Sequence, residues 1–132
     1  MRLILTAMLL LSTGLCYAVE PEFGSAAWLY NGCKQVERFE EGEKLSPTDG
    51  IGSLQCTSFM AGAFRGYNWA TAEKCDLTRR NPEDLIRMFL RAYRDWIKTL
   101  GDIRAEVAVG MILDTCMCNE SQDLRPYICP LR

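Results

Sequence analysis

Apolar residues recur at intervals of three and four in four stretches of the chain, and no stretch alternates apolar with polar over a useful strand length, so the pattern predicts an all-α, four-helix domain. After Ser25, a natural N-cap, the positions Trp28, Leu29, Gly32, Cys33, Val36 and Phe39 describe one face of a first helix. From Ser53 to about Ala72 the residues Cys56, Phe59, Met60, Ala63, Phe64, Tyr67 and Ala70 form the stripe of a second. Gly62 and Gly66 stand one turn apart beside that stripe and each weakens the helix relative to Ala, which points to a helix packed closely against them, the competing reading being a ligand contact. The third helix has the clearest start: Asn81 caps, Pro82 fits the first turn where its missing N–H costs nothing, and Glu83 and Asp84 suit the positive dipole end. Leu85, Met88, Phe89, Ala92, Tyr93, Trp96 and Leu100 line one side, and Ile86, Leu90 and Ile97 widen the arc, so this helix is either central or at an interface, self-association included. Gly101 ends it, Asp102 can cap a fourth helix carrying Ala105, Ala108, Val109, Ile112 and Cys116, and a tail runs from Asn119 to Arg132.

Between the first two helices, Glu40 to Gly52 gathers Gly42, Ser46, Pro47, Asp49, Gly50 and Gly52, the composition of a turn-rich loop. The part from Gly42 to Gly52 is the candidate partner contact, with Leu45, Ser46, Pro47, Thr48 and Asp49 at its centre; the competing reading is a plain connector. On the third helix Arg87, Arg91, Arg94 and Lys98 fall in one line. They read as a solvated face paired along the helix (Glu83 with Arg87, Arg91 with Asp95) or as a surface for an anionic partner.

The segment before the first helix changes the setting. Met1 and Arg2 give a positive start, Leu3 to Leu11 is apolar except for Thr6, and small residues at Cys16 and Ala18 precede a cut before Val19. This is the plan of a secretory signal peptide over residues 1–18, with residues 19–132 as one helical domain. Leu15 before Cys16 is bulky where lipoprotein processing takes a small residue, which argues against lipidation. The apolar run falls short of the ~20 residues a spanning helix needs, so no stable membrane insertion is expected, and the export signal points to the periplasm. In an oxidising compartment the six remaining cysteines are read as disulfides. Fifteen connectivities exist for six cysteines. If the first two helices and the last two form hairpins, Cys33 meets Cys56 and Cys75 meets Cys116, leaving Cys118 to hold the tail through Cys129.

Composition narrows the chemistry. The 132 residues are 48% hydrophobic and 24% charged, which fits one compact domain. There is no histidine, which excludes Ser-His-Asp and Cys-His machinery and histidine-ligated zinc. The formal net charge of −2 lacks the basic excess of a nucleic-acid binder, so no nucleic-acid partner is expected. Cys116 and Cys118 form a close pair, yet no second pair at metal-site spacing accompanies them. Glu37, Glu40, Glu41 and Glu43 cluster as an exposed charge run, not as the buried acid and base of a glycosidase. The expectation is a protein without catalytic residues, metal or cofactor.

The order of these features resembles a known family. A leader, Trp28-Leu29-Tyr30 with Cys33, then Cys56-Thr57-Ser58-Phe59-Met60-Ala61-Gly62, then Cys75, and a helix pair closing on Cys116 are similar to the Rap/Tai immunity proteins of type VI secretion amidase effectors. Ser58, Thr115 and the additional Cys118 and Cys129 depart from the family pattern. The resemblance implies a small all-helical periplasmic protein, often a homodimer, that binds and blocks a peptidoglycan-cleaving amidase. The runner-up from another class is a periplasmic stress chaperone or binding module of small, helical, disulfide-bonded type.

Overall fold

The computed structural model describes residues 20–71, 77 and 80–118. The expected leader with Cys16, the cut before Val19, Cys75, and the tail from Asn119 with Cys129 lie outside the described residues. The described chain is all-α: α1 (Ala26–Glu40), α2 (Pro47–Thr71), α3 (Pro82–Asp95) and α4 (Ala105–Ile112), with a 3-10 turn at Ile97–Leu100 and a π-helical turn at Leu113–Cys118. Among the described residues the β geometry is an isolated bridge between Ser25 and Arg104.

Local rules place most of the helix starts. The Ser25 hydroxyl accepts from the Trp28 amide at 3.1 Å and caps α1 as expected. Asn81 and Asp84 form a reciprocal capping box at α3, side chain to backbone at 2.8 and 3.3 Å. The start of α4 is different. Arg104, not Asp102, stands at its N-cap and gives no side-chain cap. The amide of Ala105 instead donates to the Gly24 carbonyl at 2.7 Å, while the amide of Ala26 donates to Ile103 at 2.8 Å. A second backbone thus satisfies the orphan donor that a capping side chain would otherwise meet, and it ties the beginnings of α1 and α4 together.

The third helix is also shorter than its apolar run. At Trp96 the backbone leaves helical geometry (φ −145°), the chain tightens into the 3-10 turn, and Gly101 follows at φ +82°, where a side chain would be strained. This break lets Ile97 turn fully into the core. Leu85, Ile86, Phe89, Leu90 and Ala92 are buried with it, so the wide arc of α3 is core within a single chain. Leu29 and Cys33 of α1, Cys56, Met60 and Phe64 of α2, and Ala105, Ala108, Val109 and Ile112 of α4 close around that arc.

α1 and α2 form a hairpin held by the expected Cys33–Cys56 disulfide, both cysteines fully buried. The close helix approach is here, and not where the sequence placed it. A methyl group on Gly32 would come within 2.7 Å of the Gly52 carbonyl oxygen, whereas one on Gly62 or Gly66 would meet nothing within 4 Å. Those two glycines face outward with Ala70, and no helix among the described residues reaches them.

Candidate functional site

The α1–α2 turn differs most from the expected loop. α2 begins at Pro47 and not at Ser53, so the connector is only residues 41–46, with Gly42 at φ +87° supplying the reversal. The reason is local. Ser46 accepts from the Asp49 amide at 3.2 Å and donates to the Asp49 carboxylate at 2.8 Å, capping a helix whose first residue is a proline. Of the five residues expected at the centre of a contact loop, Leu45 and Ser46 lie in the connector, while Pro47, Thr48 and Asp49 form the first turn of α2. The structure keeps them together as one rigid corner.

A polar network braces that corner from behind. Arg38 donates to Glu43 and to Gln35, both at 2.7 Å, and its guanidinium lies 3.7 Å from Asp49. The hydrogen bond with Glu43, followed by that carboxylate's charge, pushes the Arg38 pKa above its ordinary value. One side chain thereby links the end of α1, the connector and the start of α2. Such exposed pairs contribute little energy singly, up to ~1 kcal/mol each, but together they fix the shape of a short turn.

In front of the corner lies an open apolar groove of about 890 Å³, lined by Phe39, Leu45, Pro47, Ile51 and Leu54 among others. Phe39 is 65% exposed, Ile51 58% and Leu54 69%. Phe39 continues the helical period of the α1 core stripe, yet among the described residues no helix covers it. Three large apolar side chains grouped on one rigid edge make the kind of surface that marks a protein-binding site. Compared with protein-family models, characterised proteins and solved structures, the chain matches none.

The acidic run on α1 meets the arginine line of α3. Arg94 pairs with Glu37 at 3.3 Å and Arg87 approaches Glu40 to 4.0 Å, across the groove between the helices instead of along α3. These glutamates are thus engaged in structural pairing. Tyr30 stacks on Tyr93 beside them, centroids 4.2 Å apart, with the Lys34 ammonium over the Tyr30 ring. Among the described residues no three His, Cys, Asp or Glu side chains gather to hold a metal ion. Cys116 and Cys118, the close pair, are both disulfide-bonded; Cys75 and Cys129, the partners expected for them, lie outside the described residues. No helix among the described residues is long and apolar enough to cross a membrane.

A second link joins α2 to the π-helical turn. The Tyr67 hydroxyl donates to Asp114 at 3.0 Å, and its pKa is pushed up to about 12, first by burial, then by that hydrogen bond and the carboxylate charge. Sequence reasoning used Tyr67 only as a core position. The apolar groove was missed in the same way, although Leu45, Ile51 and Leu54 flanking a turn signal carry the information: apolar residues inside a turn-rich stretch need covering by something.

Proposed function

We propose that this protein is a non-enzymatic, periplasmic immunity protein that binds a peptidoglycan-cleaving amidase effector of type VI secretion and blocks it by occupying the approach to its active site. The observation that carries the binding role is the exposed apolar edge formed by Phe39, Ile51 and Leu54 on a corner fixed by the Cys33–Cys56 bridge. A stiff corner loses little conformational entropy on docking, so most of the apolar contact is retained as affinity. The amidase as target comes from the motif resemblance. The disulfide is compatible with an oxidising compartment, and a chain without histidine, with Cys33, Cys56, Cys116 and Cys118 all in disulfides, is poorly equipped for nucleophilic catalysis. The test is peptidoglycan hydrolysis by exported amidases encoded beside this gene, titrated with the oxidised protein. Inhibition saturating near one protomer per enzyme supports the reading; unaltered hydrolysis at excess protein by every such amidase overturns it. Selective protection of unfolding proteins from aggregation, with no inhibition, assigns the protein to the chaperone class instead.

A further inference from the structure

The last helix is built from weak parts. α4 has eight residues, well under the ~12–15 that an isolated helix needs in water, and Arg104 gives it no side-chain cap. Gly110 weakens it further, and packing does not call for that glycine, since a methyl group there would meet nothing within 4 Å among the described residues. Directly after Ile112 the chain passes into the π-helical turn Leu113–Cys118, a geometry that is rare and concentrated at functional sites. Leu113, Cys116 and Met117 of this turn are nonetheless buried, so it is held by more than local preference. Cys116 and Cys118 are both disulfide-bonded. Side chains two positions apart on a helical turn do not face one another, so the two are anchored separately and the turn is cross-linked from two sides. The Tyr67 hydroxyl adds a third tie, to Asp114 at 3.0 Å. Access sets these bonds apart from the other cystine: Cys33 and Cys56 are fully buried, whereas Cys118 is partly exposed.

We propose that residues 110–118 form a redox-sensitive clasp, closed as the π-helical turn when Cys116 and Cys118 are oxidised and opening about Gly110 when they are reduced, while Cys33–Cys56 keeps the α1–α2 hairpin locked. In the opening step a dithiol reductant attacks each cystine. Its first thiolate breaks the S–S bond and forms a mixed disulfide, its second closes the reductant into its own cyclic disulfide, and the two electrons and two protons it gives up leave the protein cystine as a pair of thiols. Without its anchors the turn opens as a local unit, and Asp114 withdraws from Tyr67. Closure of this end of the molecule is thereby confined to a compartment that keeps thiols oxidised. The clasp is separate from the α1–α2 corner and does not rest on the reading of that corner as a docking surface.

The experiment treats the oxidised protein with increasing dithiothreitol at neutral pH without denaturant, quenches aliquots with iodoacetamide and maps the labelled cysteines by mass spectrometry. Cys116 and Cys118 should be labelled about ten-fold faster than Cys33 and Cys56, because exchange follows the access of the attacking thiolate. At the dithiothreitol concentration that reduces only the first pair, hydrogen exchange should show the amides of residues 110–118 losing about ten-fold or more of their protection while those of α1 keep theirs, and reoxidation should restore it. Gly110→Ala leaves every cysteine in place and strengthens the helix, so its reduced clasp should lose about five-fold less protection than wild type. Labelling of all four cysteines at one rate, or amides of residues 110–118 that stay protected once Cys116 and Cys118 are thiols, overturns the clasp. A reduced Gly110→Ala that exchanges as fast as reduced wild type overturns Gly110 as the point about which it opens.

Discussion

A single methyl group added at Gly32 tests how the functional corner is held. Its Cβ would lie 2.7 Å from the Gly52 carbonyl oxygen, 3.4 Å from the carbonyl carbon and 3.7 Å from the Cys56 Cβ. The first distance is one that a side-chain carbon does not tolerate, and the obstructing atom is helix backbone, which cannot swing aside as a flexible side chain would. Separating the helices is also opposed, because the Cys33–Cys56 bridge begins at the next residue. Helix propensity alone favours Ala over Gly by roughly 1 kcal/mol, and overpacking costs typically ~1–3 kcal/mol. With a rigid obstruction the upper part of that range applies, so Gly32→Ala should destabilise by about 1–2 kcal/mol and lower the melting temperature by about 5–15 °C. Gly62→Ala is the control, since its added carbon meets nothing within 4 Å. There the propensity gain stands unopposed, and the melting temperature should rise by about 4–8 °C. Thermal unfolding of the two oxidised variants, followed by far-UV circular dichroism, gives the comparison. If Gly32→Ala melts at or above wild type, the close approach is not there, and the placement of Ile51 and Leu54 derived from it is wrong.

Replacing both Cys33 and Cys56 with Ala removes a link across 23 residues; urea unfolding should register a loss of about 3 kcal/mol by the loop-closure relation, and an unchanged midpoint would show the bridge to be dispensable. Leu90→Ala should cost about 2–5 kcal/mol in the same assay, since Leu90 is only 2% exposed; a loss below 1 kcal/mol would contradict its burial within a single chain. Tyr67 has a folded pKa raised to about 12 from an ordinary 10.0, so the folded state holds its proton more firmly. Its contribution is full below pH 10 and is lost as pH rises through 12. Absorbance titration near 295 nm should record a late-ionising component in wild type that is reduced by one tyrosine in Tyr67→Phe; an unchanged late phase in that variant would refute the assignment.

How far the sequence foretold this structure depends on the kind of signal. α3 was legible at its start because Asn81, Pro82 and Asp84 each act within a few residues of one another and agree. The cap by Ser25 and the buried arc of Ile86, Leu90 and Ile97 were legible for the same reason: capping and period are local. The beginning of α2 was not. Pro47, Gly50 and Gly52 are turn formers in isolation, but proline fits a first helical turn, and Gly52 is where the backbone of α1 at Gly32 comes close. That second requirement is tertiary, so a reading along the chain assigned the close approach to Gly62 and Gly66 instead. Asp102 was displaced as a cap by the backbone of Gly24, again a partner from another part of the chain. Phe39 fits the core period of α1 and is exposed because the period says which face a residue is on, not whether the helix still has a neighbour at that level. The Leu45–Asp49 segment was singled out as the centre of a long, glycine-rich loop, whereas α2 already begins at Pro47 and makes it a corner whose apolar flanks are the candidate contact.

The central claim is that the corner bearing Phe39, Ile51 and Leu54 docks on a partner enzyme and blocks it. Its most direct test is a peptidoglycan-hydrolysis titration of an inhibited amidase with wild type, with Leu54→Asp, and with Val107→Asp, a comparably exposed apolar position on α4. The account predicts wild-type inhibition saturating near one protomer per enzyme and retained by Val107→Asp. For Leu54→Asp it predicts inhibition weakened on the order of 30-fold or more, as for an interface contact worth about 2 kcal/mol, with the melting temperature of the variant unchanged. Full inhibition by Leu54→Asp would contradict the corner as the contact surface.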